Sequence, residues 1–181
     1  MITKINHSIH EKIEIMMRPR IPGGASAGFL VAQVGAHAAM QFAEALKPHG
    51  FRPQEAGVLR LLAFSPGISQ QDLAGRLGMY ASRLVGIVDE LEERRLIERR
   101  PSETDRRLYA LYLTKEGEAA LETIGRVARE HQRSLFESLS AEEQEVLATL
   151  LARVAERQGL TPGVHPGFGK LGVGKSSKAE V

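Results

Sequence analysis

The chain has 181 residues, with 24 Lys and Arg against 22 Asp and Glu, so its net charge is only +2. That length suits one domain, or a small domain with an added dimerisation layer, and it is enough to bury a proper core. A globally basic nucleic-acid coat is excluded, so any such surface is a local patch, and the absence of cysteine removes disulfides, thiolate metal sites and thiol-based peroxide sensing.

Residues 3 to 17 place Ile5, Ile9, Ile13 and Met16 or Met17 at helical spacing, a candidate short helix. RPRIPGGASAG, residues 18–28, reads as a linker. Residues 1–28 are therefore expected to be an N-terminal extension. A helix is predicted over Phe29–Leu46, with Leu30, Val34, Ala38, Phe42 and Ala45 along one stripe, stopping at Pro48 and Gly50. Pro53 suits the first turn of the next helix, which carries Val58, Leu59 and Leu62 and ends before Ser65-Pro66-Gly67. ISQQDLAGRLG, from Ile68, reads as a short helix capped by Ser69, with Asp72 three residues on. Leu73, Ala74 and Leu77 are its buried stripe, and Gly78 breaks it.

A second helix is predicted over 79–94, with Leu84, Ile87, Val88 and Leu91 at the spacing of one buried face. LIERRPSETDRRLYALYL follows as a β-hairpin, the wing being placed at 97–113. Between Arg94 and Arg107 six arginines face Glu98, Glu103 and Asp105, a window of net +3, more than the whole chain carries. Thr114 is a candidate N-cap for a long helix with Leu121, Ile124, Ala128 and Leu135, and His131 falls on the same face. Ser140 and Glu143 form another capping box, opening a last helix with Val146, Leu147, Leu150, Leu151 and Val154 that Gly159 ends. The tail, 161–181, holds five glycines and is expected to be flexible.

Helix, turn, helix and basic hairpin form a DNA-reading arrangement. The helix pair ISQQDLAGRLG and MYASRLVGIVDELEERRLIERR, the TDRR at 104–107 with its Asp105 and Arg107, LTKEG at 113–117, and Ser140-Ala-Glu-Glu143 together resemble the MarR family of winged helix-turn-helix regulators, over residues 29–158. The resemblance implies a mainly α fold with a small β-hairpin wing and a helical dimerisation layer. It implies a homodimer built from the first and last helices (29–46 and 115–158) around a DNA-reading lobe at 51–113. It implies binding to a palindromic double-stranded operator, as a repressor. In many members a small molecule bound between the dimer helices and the lobe releases the DNA. Arg95 departs from the pattern, standing where a glycine usually ends the second helix, as do Gly86 and Glu90, where polar or basic residues are common.

The buried stripe leaves Ser82, Arg83 and Gly86 exposed near the start of the second helix and Asp89 and Glu93 near its end. Phosphates repel the two acids, so the N-terminal half is expected in the major groove. Arg83 suits a guanine, taken bidentately. Ser82 and Tyr80 suit bases or phosphates, and Ser69 and Gln70 at the start of the preceding helix are counted with them. On the hairpin, Arg106 and Arg107 suit an adjacent minor groove, Asp105 orients an arginine, and Arg99 and Arg100 suit phosphates. An effector, a small partly apolar aromatic acid or phenol, is expected near His37, Phe42, Leu62 and Met79.

No cofactor, metal or enzymatic activity is expected. The tail contains a literal phosphate-loop string, GKLGVGKS. That chemistry needs a strand before the loop and a helix after it, and only five residues follow Ser176. His7, His10, Glu11 and Glu14 read as a solvated face, and His37 and His131 as satisfied core histidines. No apolar run approaches the ~20 residues of a membrane span, and MITKINHSIHEK lacks the apolar core of a signal peptide, so a cytoplasmic protein is expected. The alternative function is a winged-helix module that binds protein and no longer binds DNA, left open by Gly86, Glu90 and Arg95.

Overall fold

A computed structural model describes residues 26–101 and 109–160. The candidate helix at 3–17, the wing residues Asp105, Arg106 and Arg107, and the glycine-rich tail lie outside the described residues. The chain divides into two compact units, Met1–Ala39 and Met40–Val181, the boundary falling inside the first described helix. That helix, α1, spans Ala27–Leu46. In the first unit it presents Phe29, Val31 and Val34 to solvent.

In the second unit α1 ends on Leu46, which is fully buried, and a 3-10 turn at Lys47–His49 follows. Then come α2 (Pro53–Phe64), β1 (Ile68–Ser69), α3 (Gln70–Leu77), α4 (Ala81–Glu93), β2 (Ile97–Pro101), β3 (Tyr109–Leu113), α5 (Lys115–Leu135) and α6 (Ala141–Arg157). The strands form one antiparallel sheet in the order β1-β3-β2. Among the described residues, six α-helices with a small sheet at the edge of a helix-turn-helix make the expected winged fold.

The predicted stripes supply the core. Leu73 and Leu77 of α3, Leu84, Val88 and Leu91 of α4, and Val58, Leu59 and Leu62 of α2 are buried together, with Ile97 and Leu111 from the sheet and Ile124 and Val127 from α5. At roughly 1.5–3 kcal/mol per fully buried aliphatic side chain, this cluster holds the lobe together.

The first helix begins at Ala27, two residues inside the expected linker, and two boundaries in the DNA-reading motif also differ from the sequence reading. Ile68 and Ser69 are a strand, not the first helical residues, because Ile68 pairs with Leu111 and is buried. Ser69 remains the N-cap, its Oγ accepting the Asp72 N–H at 3.1 Å. The second helix starts at Ala81 rather than at 79. Gly78 is left-handed, and the Gly78 and Met79 N–H groups bond back to Gly75 O and Ala74 O at 3.2 and 2.9 Å. This doubly bonded ending of α3 folds Met79 into the core.

α4 ends in the same way without a glycine. Arg95 N–H bonds to Glu92 O at 2.8 Å and Leu96 N–H to Leu91 O at 2.9 Å. Arg95 therefore sits at φ 57°, the left-handed region. An arginine thus occupies a backbone conformation that disfavours a Cβ. The next junction is set by Thr114 and Gly117. Thr114 Oγ1 accepts the Gly117 N–H at 3.0 Å and donates to Arg95 O at 2.6 Å. A Cβ on Gly117 would lie 1.9 Å from the Leu96 carbonyl oxygen, a backbone atom. The LTKEG segment thus caps α5 with its threonine and seats the helix against the turn after α4 with its glycine.

These two positions predict opposite signs. Arg95→Gly relieves a left-handed penalty and should stabilise the protein by about 1 kcal/mol, raising its melting temperature by roughly 2–4 °C. Gly117→Ala forces overpacking and should cost about 1–3 kcal/mol. Thermal melts of the two variants check both signs.

Candidate nucleic-acid interface

α4 is amphipathic, and burial of Leu84, Ile87, Val88 and Leu91 turns Ser82, Arg83 and Gly86 outward, as expected. Tyr80 is its N-cap and is 56% exposed. A Cβ on Gly86 would meet nothing within 4 Å, so no packing inside the chain demands a glycine there. Tyr80, Ser82 and Arg83 therefore lie together at the N-terminal end of one exposed helix.

Ser69 and Gln70 are half-buried at the start of α3. The Ser69 hydroxyl is committed to the cap, donating to Asp72 Oδ2 at 2.7 Å as well as accepting the backbone N–H. Gln70 Oε1 lies 3.5 Å from Arg99 Nη2. Neither side chain stands out towards solvent as Arg83 does.

The acids of α4 are handled differently from the expectation. Asp89 and Glu92 both pair with Arg99 of β2, and Glu90 pairs with Arg52, the residue just before α2. Arg52 also donates to Glu55 Oε1 at 3.0 Å. The Glu55 hydrogen bond, against a smaller effect of partial burial, raises the Arg52 guanidinium above its ordinary value, with Glu90 adding to it. Glu55 is 3% exposed. It accepts the Arg52 backbone N–H at 2.7 Å and a bond from Arg94 Nη1 at 3.3 Å, while Arg94 lies 4.7 Å over the Phe51 ring. Glu90, the departure from the family pattern, is thus one end of an ion pair that ties α4 to the start of α2. Sequence reasoning missed Arg52 and Glu55 because neither lies in the DNA-reading motif.

Arg99, expected at a phosphate, is engaged by two carboxylates of α4. Its side chain is 21% exposed and turned onto α4. Partial burial lowers its affinity for a proton, but the Asp89 hydrogen bond and the charge of Glu92 outweigh that and shift it upward. The strand period carries the reason: Arg99 lies two residues after buried Ile97 and shares its inward face. Arg100, on the other face, is exposed. It pairs with Glu98 and lies 4.5 Å over the Tyr112 ring, leaving its edge towards solvent. β2 and β3 stay in register out to Pro101 opposite Tyr109.

The expected effector residues lie in different settings within their units. Leu62 and Met79 are enclosed in the hydrophobic core, so neither offers a surface to a ligand in this arrangement. His37 is exposed in the first unit. Phe42 is half-buried, its ring centroid 5.6 Å from that of His131 on α5. His131 is not the satisfied core histidine expected: its Nε2 is buried and has no hydrogen-bond partner among the described residues. A separate open cleft of about 600 Å³ lies beside α5, with Leu113 and Leu121 in its lining. Arg126 and Arg129 line it, but Glu118 and Glu122 do too, so its field for an anion is largely offset. Among the described residues no cluster of His, Asp and Glu is set to hold a metal, and no helix is long and apolar enough to cross a membrane.

Comparison with known proteins bears directly on this surface. A sequence model described as MarR family matches residues 49–108. A putative transcriptional regulatory protein for the hcr operon of Thauera aromatica is 34% identical over 143 residues, which is 75% of this chain and 86% of that protein. The HTH-type transcriptional regulator FarR of Neisseria gonorrhoeae is 36% identical over 117 residues, 64% of this chain and 80% of that one. Among solved structures, the transcriptional repressor CouR bound to a 23-mer DNA duplex superposes with a TM-score of 0.65 at 30% identity, covering 72% of this chain and 92% of CouR.

Proposed function

The chain belongs to the MarR family of DNA-binding transcriptional regulators, and from that premise we propose that it is a homodimeric repressor of a palindromic operator. The observation that carries the DNA-reading part is the polarity of α4. Its N-terminal half presents Tyr80, Ser82 and Arg83 outward, while Asp89, Glu90 and Glu92 further along are paired with arginines. Ser82 and Arg83 enter the major groove, and the wing segment carrying Arg106 and Arg107 reaches the minor groove alongside, with Asp105 orienting one of them. Arg100 contacts a phosphate. The CouR complex supports this reading, since that relative binds duplex DNA on the same fold.

Dimerisation rests on what the second unit leaves uncovered. α6 buries none of its residues, yet Val146, Leu150, Leu151 and Val154 lie along one face of it, with Val154 at 58% exposure. The exposed Phe29, Val31 and Val34 of the first unit are a second apolar surface. Contiguous exposed patches of this kind mark interfaces. We assign both to a second copy, with residues 29–46 and 115–158 as the dimerisation layer and 51–113 as the DNA-reading lobe. Two recognition helices then meet successive major grooves about 34 Å apart.

A small aromatic acid or phenol is the proposed effector. Buried polar atoms are nearly always paired, and an oxygen of such a ligand would supply His131 Nε2 with a partner beside the Phe42 ring. To act, it must favour a dimer whose half-site spacing is wrong for DNA.

Selection of bound sequences from a random duplex pool should return a palindrome. On that operator Arg83→Ala should cost about 1–3 kcal/mol and relax the preference at one base pair per half-site. Arg107→Ala should cost a similar amount with no loss of thermal stability, and loss of binding by Asp105→Ala would separate orientation from simple repulsion. Sedimentation should give a dimer at micromolar concentration, and Val154→Glu should shift it towards monomer; a well-folded wild-type monomer would overturn the dimer. Small aromatic acids should raise the melting temperature and weaken operator binding together. A ligand that does only the first sinks the coupling, because equal affinity for two states shifts neither.

A further inference from the structure

Arg99 touches three elements at once. It belongs to β2, its guanidinium meets Asp89 and Glu92 on α4, and its Nη2 lies 3.5 Å from Gln70 Oε1 in the first turn of α3. The Arg99 backbone N–H also donates to Glu92 Oε1 at 3.2 Å, so the strand itself, and not only a flexible side chain, is fastened to the helix. The planar guanidinium suits this work because its donors lie in a fixed fork.

We propose that Arg99 is a positioning residue that sets the angle between the recognition helix and the wing, so that major-groove and minor-groove contacts are made together. This rests on the DNA-reading role proposed above and adds to it the residue that couples its two halves. A phosphate contact would have to take Arg99 away from two carboxylates. It would also leave Asp89 and Glu92 unpaired on the helix that approaches a polyanion. The guanidinium therefore does more for DNA binding by staying on the helix than by reaching the backbone. Asp89 and Glu92 acquire a role by the same argument. They are the fixed points on α4 to which the wing is tied, although their charge alone opposes DNA.

That opposition in sign makes the test sharp. Asp89→Asn and Glu92→Gln each remove a negative charge beside DNA with little change of shape, at positions 51% and 38% exposed. Simple electrostatics gives tighter binding for both. The positioning role gives operator binding about tenfold weaker for each, with affinity for random duplex unchanged or raised. Arg99→Gln should lower operator affinity at least as much, and combining it with Asp89→Asn should add little further loss, because one interaction has already gone. Circular dichroism and melting curves taken alongside confirm that each variant is folded; the exposed carboxylate variants keep the test alive if Arg99→Gln is not. Operator binding by both carboxylate variants that equals or exceeds wild type overturns the proposal. So does an Arg99→Gln variant that loses operator and random-duplex affinity equally while its salt slope drops by about 1, the mark of a phosphate contact. A wild-type protein whose binding to every duplex lacks a steep salt dependence overturns the DNA-reading role itself, which is a different result from either.

Discussion

α4 carries Asp89, Glu90, Glu92 and Glu93 in its second half, charges that oppose its approach to DNA unless neighbouring elements offset them. Arginines do so for three of the four: Arg99 from β2 takes Asp89 and Glu92, and Arg52 from the start of α2 takes Glu90. Exposed ion pairs contribute little to stability one at a time. Their value here is directional. Each joins α4 to a different element, so the helix is held on both flanks by groups far apart in the chain. The buried Glu55, bonded to Arg52 and Arg94, anchors one of those flanks in the core.

The ends of α4 are fixed by backbone rather than charge. The doubly bonded turn after α3 buries Met79 and aims α4, and the same turn after α4 aims β2. The second of these uses Arg95 in a conformation that glycine adopts at no cost. Thr114 then bonds to the Arg95 carbonyl and caps α5. Strand and long helix therefore leave from one tight junction.

α6 stands in contrast. Its cap is complete, with Ser140 Oγ accepting the Glu143 N–H at 3.3 Å and Glu143 Oε2 accepting the Ser140 N–H at 2.8 Å. Its apolar face is uncovered. A helix of this length gains most of its stability from packing such a face, and Val146, Leu150, Leu151 and Val154 remain exposed along it. His131 on α5 has a buried Nε2 without a hydrogen-bond partner among the described residues.

Local order was legible in the residues because the physics that sets it acts within one turn. Ser69, Thr114 and Ser140 cap helices by reaching three residues forward, Gly78 stops one by its own backbone freedom, and the stripes of α2, α3 and α4 repeat at the helical period. The outward placement of Ser82 and Arg83 followed from the buried stripe of their own helix, whereas the strain at Arg95 was suggested only by the resemblance, in which a glycine usually stands there. What the tertiary structure decided involves partners distant in sequence. Ile68 became a strand because Leu111 lies opposite it. Leu62 and Met79 were absorbed by the core because α2 and the α3 turn close over them. Arg99 was claimed by α4 because an arginine carries no mark of which of several acids it will meet. Charge composition counts such groups without pairing them, whereas burial, strand face and helix flank bring Arg99 to Asp89 and Arg52 to Glu90.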